Sequence, residues 1–497
     1  MALPETSLLP LDDWNKGSSL WIRNGGLRSC ALAAGLLCLA AFNHEQPVPQ
    51  IHQLEIADCD DVDFGPDEDL FLACHSPQDR LPINVLGSKA VPDEMDAYVL
   101  RLNPHTGNLV FATRFGGNSF DAALRIKVDK QGYAYATGLT RSPDFPVTRD
   151  AAQQSLGGKS DAFLVKIAPG GEIVYATLIG GTGEDLGNAL DLDKSGNVYV
   201  GGTTSSGDFP GQSTKRLTTE DDAFVCRIES VKHGISCRVF GGNKSEMLTG
   251  IVLDRAEGLY ATGWTKSANF PTKHSLQKVL GGRSDSFLTR LALPSLEITH
   301  STFFGGAGED TGWGIAVDRT GNPFVAGTTD STNLPGTTGS YQSRNHGKKD
   351  IFLASIHIRR HRRVRTTYLG GSKDDESAYE GGDIKVDRNG NVWVAGITYS
   401  EDLPTRNASQ AQFGGGNGDG FVVVFDPNLK RLCFGSYFGD SGRNLLEGLA
   451  ISPSGLVALT GVSFSEAPSA FCIPIGQSNL YAGTNLFLVQ TEDVCSR

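Results

Sequence analysis

No stretch of this 497-residue chain stays apolar over the ~18 to 20 residues that a bilayer-crossing helix needs, so no transmembrane helix is expected. The nine cysteines (Cys30, Cys38, Cys59, Cys74, Cys226, Cys237, Cys433, Cys472 and Cys495) form no C-x-x-C pair, which removes zinc ribbons and thioredoxin-type redox motifs. Nine is also an odd number, and far too few for a disulfide scaffold of this length. Among ten histidines there is no H-E-x-x-H, so a locally assembled metal-hydrolase site has no support; neither a metal nor a cofactor is expected. Charged residues are only 20% and aromatics 8%, whereas 61 glycines make up about 12% against a usual ~7%. That composition fits a turn-rich globular chain and neither a disordered, a coiled-coil nor a collagen one. A net charge of −12 argues against a surface built for nucleic acid or anionic lipid, and no nucleic-acid partner is expected.

The chain repeats. Asp96 to Pro146 reads DAYVLRLNPHTGNLVFATRFGGNSFDAALRIKVDKQGYAYATGLTRSPDFP, and Asp161 to Pro210 follows the same frame, as do segments beginning at Asp222, Asp285, Asp350 and Asp419. The "V-D" before each G-N turn serves as a marker, at Asp63, Asp129, Asp193, Asp254, Asp318, Asp387 and, degenerately, Ser452, spaced 61 to 69 residues apart. Each unit holds four short runs of β-branched and aromatic residues, punctuated by Gly, Asn, Asp and Pro, which reads as four antiparallel strands. Seven such units predict an all-β fold, a seven-bladed β-propeller of four-stranded antiparallel blades. Asn485 to Leu488 reads as the strand missing from the first blade, so that both termini would close that blade. The boundaries expected are 1–54 for an N-terminal extension, 55–492 for the propeller and 493–497 for a tail.

The consensus DAFxxKx…YxTxxGGxGxDxxxxIxVDxxGNxYVxGxTxSxxFP resembles the SBBP-type repeat over about residues 58 to 490. That resemblance implies a seven-bladed propeller of a kind found mainly in bacterial exported and cell-surface proteins, with no shared catalytic residues. Recurring residues are then assigned to the fold. The D-x-x-G-N segments, such as Asp193 to Asn197, read as hairpin turns, because Asp caps its own turn and Gly tolerates positive φ. A calcium loop starting at Asp191 would need a Glu where Gly202 stands. The G-G-x-G-x-D segments lack the following helix that lets such loops bind phosphate. Gly439-Asp440-Ser441-Gly442 spells part of a serine-protease motif without any histidine context.

Three features do not recur. His357 to Arg365 holds Arg359, Arg360, Arg362, Arg363 and Arg365, placed by alignment at or beside a hairpin tip. Guanidinium forks there suit a polyanion or an acidic protein partner, against the plainer reading of a solvated turn. Asp58, Asp60, Asp61, Asp63, Asp67, Glu68 and Asp69 make an acidic patch, read as a docking point or as a solvated face that aids solubility. Cys226 and Cys237 align opposite each other across a hairpin, where a disulfide is feasible and two reduced thiols are equally compatible.

Cys30 to Phe42 is an apolar run behind Arg23 and Arg28, which suits a signal peptide spanning about 23–41. The competing reading makes Leu20 to Gly26 a strand, followed by a docked apolar helix. These features point to a non-enzymatic protein-binding or scaffold propeller, secreted or on the cell surface, recognising its partner through the long loops after each F-P or L-P. The alternatives are an architectural subunit of a larger intracellular assembly and a propeller-type glycan hydrolase or lyase.

Overall fold

The computed structural model describes residues 58–76, 84–85, 95–104, 106, 108–211, 220–254, 258–358, 363–376, 383–463, 486–490 and 494–495. All of them lie in the unit Leu37–Arg497. The signal-peptide and strand-plus-helix readings of the N-terminus fall outside the described residues.

The fold is an all-β propeller of four-stranded antiparallel blades. In the third sheet the chain runs Asp185–Leu192, Val198–Thr204, Asp222–Ile228 and Ile235–Phe240, each strand antiparallel to the one before. Residues 121–179, 246–304, 310–369 and 375–438 repeat this order, and the first sheet, 58–115, adds a two-residue parallel strand, Asn84–Val85. Blades of four or more strands therefore number six among the described residues, where the repeat predicted seven. The last sheet has three strands: Asn444–Ile451, Leu456–Ser463 and Leu486–Gln490.

That last strand corrects one expectation. Leu486–Gln490 pairs with Leu456–Ser463, so the C-terminus extends the last sheet and does not complete the first. The first sheet already has its own third strand, Asp96–Leu102. The cause is the frame: a blade begins with the strand ahead of the D-x-x-G-N turn, whereas the visible repeat begins half a blade later, at D-A-F. Register corrects the marker too. Phe64 pairs with Leu70 as Val128 pairs with Ala134, so Gly65, and not Asp63, stands where Asp129 stands.

Each strand alternates its side chains between two sheet faces, and both faces are covered by neighbouring sheets. The apolar layers lie between consecutive sheets. Phe163 and Val165 meet Phe71, Ala97 and Phe115, while Phe224 and Cys226 meet Leu164 and Tyr135. A further layer sets Ala450 and Ala458 of the last sheet against Val62 and Leu72 of the first. The D-x-x-G-N turns are hairpins as expected: Asp193 accepts from the Ser195 and Asn197 amides, and Gly196 sits at φ 80°.

The G-G-x-G-x-D segments link one sheet to the next, and buried carboxylates lock them. Asp185 accepts from the Gly181 amide and the Ser206 hydroxyl, both at 2.7 Å. Asp121 repeats this with Gly117 and Ser142, Asp310 with Gly306 and Ser331, and Asp375 with Gly371 and Ser400. A second carboxylate heads the preceding third strand: Asp161 accepts from Gln153 and Gly157, and Asp285 from Gln277 and Gly281.

Burial pushes Asp121, Asp375 and Asp419 up to about 7 and Asp161 and Asp310 to about 6, against the pull of these donors. At intermediate pH the folded state then holds protons that the unfolded state has released, so stability falls as pH rises from about 4 to about 7. Denaturant midpoints are expected to be higher at pH 5 than at pH 8. A midpoint that rises over this range would show the carboxyls ionised in the fold.

Candidate functional site

The first strands of the sheets converge on a cavity of about 330 Å³, lined among others by Asp61, Lys127, Asp191, Trp313, Asp383 and Lys385. Pairing register places Asp63, Lys127, Asp191 and Lys385 at equivalent positions on their strands, with Asp61, Arg125 and Asp383 two residues earlier. These sites carry ionisable groups on some blades and Val252, Ala316 or Ala450 on others, so the charge is not required by the repeat itself.

The carboxylates in this cavity are engaged across blade boundaries. Asp61 accepts from the Ile126 amide at 3.0 Å and Asp63 from the Val128 amide at 2.9 Å, both on the next sheet. Asp191 accepts from Leu253 at 2.7 Å and Asp383 from Leu449 at 3.3 Å. The other oxygens of Asp61, Asp191 and Asp383 take the amide of the residue that follows each one. An inner strand has no strand neighbour on its channel side, and these bonds occupy amides that would otherwise be left over.

Cations balance the set. Lys385 pairs with Asp383. Burial alone would push the Lys127 ammonium down, but Asp63, Asp61, Asp191 and Asp383 outweigh it and hold it above its ordinary value. Burial likewise raises Asp61 and Asp191, with Lys127 opposing both shifts. Lys127 thus answers to carboxylates from three other sheets. Among the described residues no group of three or more His, Cys, Asp or Glu is arranged to hold a metal ion.

The acidic run 58–69 is divided and does not form one face. Asp60 is 2% exposed and bonds His75 at 3.0 Å; Asp61 and Asp63 belong to the channel. Asp69 is buried on Arg101 and Asn103, and Glu68 accepts from the Ser454 amide. Asp67 alone stays largely exposed, with Arg101 3.8 Å away. The acidic docking patch is therefore corrected: strand alternation and ion pairing turn most of its members inward. Only the backbone of Asp58 is described, opposite His75.

Of the arginines, Arg359, Arg360 and Arg362 lie outside the described residues. Arg363 and Arg365 open the outermost strand of the fifth sheet, Arg363 exposed and Arg365 bonded to Asn428 of the sixth. Cys226 and Cys237 face each other in register in the outer hairpin of the third sheet and are joined in a disulfide. Two further disulfides, Cys59–Cys74 and Cys433–Cys495, were not anticipated. A β-bulge between Cys59 and Asp61 brings Cys59 opposite Cys74, so that counting outward from the 65–69 turn sets Asp60 there and hides the pair. Trp264 and Trp393 are core residues, whereas Trp313 borders the cavity. The long F-P loops, expected to be recognition loops, are partly clamped: Lys273 pairs with Ser301 and Arg406 with Gly435 on the outermost strands.

Solved structures match this chain at low identity. They include the β-propeller domain of the Trilobed protease from Pyrococcus furiosus, at 6% identity over 82% of this chain and 90% of that one, TM-score 0.40. A gluconolactonase from Xanthomonas campestris matches at 11% over 87% and 95%, TM-score 0.29. The regulatory protein FlaEY of Caulobacter vibrioides is 25% identical over 330 residues, 63% of this chain. The chain spans 34% of that relative's length. The family model of the SBBP beta-propeller repeat matches residues 174–210 and 301–335, so the chain carries SBBP-type repeats at these two places.

Proposed function

We propose that this protein is a non-enzymatic, protein-binding scaffold, a propeller of seven blades that works outside the cytoplasm. One observation carries the reading: Asp61, Asp63, Asp191 and Asp383 of the channel, where a propeller enzyme would gather its acids, are spent on backbone amides of the neighbouring sheets. The seventh blade is read from the three-stranded last sheet, which packs against both the sixth sheet and the first. Similarity to a regulatory protein supports a protein partner over a small-molecule substrate. The architectural-subunit reading differs only in the permanence of that partner.

Substitution of Lys127 tests the reading. Lys127→Met leaves Asp61, Asp63 and Asp191 buried without their shared counter-charge and is expected to lower the unfolding free energy by about 3 kcal/mol in denaturant titration. Groups held in place for catalysis commonly cost stability. A Lys127→Met protein as stable as the parent, or more so, would return the channel to the list of working sites.

Export is supported by the cysteines, because all six among the described residues are paired. Protein from its native source, alkylated without reduction and weighed intact, is expected to carry no adduct on Cys59, Cys74, Cys226, Cys237, Cys433 or Cys495. Labelled thiols at those positions would place the protein in a reducing compartment.

A further inference from the structure

Outer hairpins join the third and fourth strands of each blade and lie at the same end of the sheets as the D-x-x-G-N turns. In the first four sheets their tips read NPHTGN, APGGE, ESVKHG and LPSL, which together contain two glutamates and a single lysine, Lys232. On the fifth and sixth sheets the sign reverses. The outermost strand of the fifth opens with Arg363, and the tip of the sixth reads DPNLKR.

The described residues bring the cations of these two blades together. Arg365 reaches across to Asn428 at the sixth sheet's tip, and Arg363, two residues earlier on the same strand, shares its face. The inner turn of the sixth sheet lies against that tip, since a Cβ on Gly390 would come within 3.2 Å of the Pro427 ring, and this turn presents Arg388. Lys430 and Arg431 follow in the tip itself; Arg363, Arg388, Lys430 and Arg431 are all exposed.

The acids of both turns cap their own backbone. Asp426 accepts from the Asn428, Lys430 and Arg431 amides, and Asp387 from the Asn389 and Asn391 amides and the Trp393 indole. No carboxylate among the described residues forms an ion pair with these five cations. Of the exposed cations elsewhere, Lys159 pairs with Glu184, Arg283 with Glu309 and Lys373 with Glu401, while Lys194, Lys278 and Arg319 stand singly on other blades without an ion pair among the described residues. Beside the tip, Tyr341 is 39% exposed, its amide bonded to Leu429 and its ring edge-on to Phe425. An unpaired basic sector with an aromatic at its border, on a chain of net charge −12, is a local inversion of the protein's own field.

We propose that the described cations Arg363, Arg388, Lys430 and Arg431, on the fifth and sixth sheets, form the docking surface for an acidic segment of a partner protein. This rests on the scaffold reading and names where the scaffold binds. Guanidinium forks engage carboxylates in pairs, and a short acidic segment meets only this sector. A long polyanion or an anionic membrane would also meet the acidic remainder of the surface, which repels it. A second copy of this chain is a poor partner, because its own acidic run is mostly consumed internally by Arg101, His75 and the channel.

The test uses the full chain and a fluorescein-labelled glutamate-rich peptide, its glutamine counterpart, a short single-stranded DNA and phosphatidylserine vesicles. The glutamate peptide is expected to bind, more weakly as salt rises, and R363E/R388E/K430E is expected to weaken it about tenfold, roughly 1.4 kcal/mol. K159E, remote and already paired, is expected to leave it unchanged, and unfolding midpoints of both variants should match the parent. Binding that survives the triple reversal, glutamine-peptide binding of equal strength, or tighter binding of DNA or vesicles would each overturn the proposal. None of these outcomes bears on the channel, whose role Lys127→Met decides separately.

Discussion

A single buried carboxylate, repeated from blade to blade, governs how one sheet is joined to the next. In the link between the second and third sheets, Asp185 holds the Gly181 amide and the Ser206 hydroxyl on one oxygen. Gly180, immediately before, has no room for a side chain, since a Cβ there would stand 2.4 Å from Asp161 and 2.8 Å from Asp185. Gln153 completes the lock by donating to Asp161 and accepting from the Gly180 amide. One point thus fixes the outermost strand of one blade, the innermost strand of the next and the loop between them. The G-G, the following Asp, the T-x-S after the second strand and the Gln of the F-P loop are parts of one device. The fourth blade substitutes Glu246 for the Asp and keeps the Gly242 amide, while Thr265 donates to its other oxygen and the Ser267 hydroxyl turns to the Lys244 carbonyl.

With the links fixed, the apolar layers follow. Sheets held at a set angle must bury both faces, and the small residues Ala, Gly and Thr on the second strands let neighbouring blades approach. Ala136, Ala261, Ala326 and Ala395 are fully buried in this way. The channel is the place where this scheme runs out, because an inner strand has no further strand to pair with. Asp61, Asp63, Asp191 and Asp383 take over that pairing from the neighbouring blade, and Lys127 compensates their charge. A channel used in this manner is a structural axis, and recognition moves to positions that the repeat leaves free.

Much of this was legible in the sequence, and the reasons for the misses are physical. Strand count, turn type and the structural role of the glycine loops followed from period-two patterning and turn chemistry, which act locally. The frame of the blade did not, because D-A-F to G-G-x-G-x-D is the conspicuous repeat in sequence while the sheet begins at the less conspicuous strand after it. The acidic run misled for a different reason. Seven acids in twelve residues look like a surface, yet alternation along Asp58–Phe64 sends them to different neighbours, and only a three-dimensional partner such as His75 or Arg101 reveals which ones are neutralised. Lys127 carried no signal of its own, being one lysine in an ordinary strand; its role depends on carboxylates that stand far away in the chain.

The comparison of blades within one chain separates what the fold requires from what it permits. Positions that hold the links, such as Asp121, Asp185, Asp310 and Asp375, keep their chemistry from sheet to sheet. Outer hairpin tips keep only their turn geometry. Asp426, for example, preserves a capped turn by accepting three backbone amides, and Lys430 and Arg431 of the same turn are exposed without a carboxylate partner among the described residues. A turn that engages its acid on its own backbone and exposes its bases acquires a surface charge that composition alone would not report. On a chain with twelve more acids than bases, that local reversal is maintained against the average field, and it is confined to two adjacent blades. Arg365 and Arg431 also tie structure together, through Asn428 and the Cys495 carbonyl, but Arg363, Arg388 and Lys430 make no side-chain bond between sheets among the described residues, so the ring's own stability supplies no reason for those three.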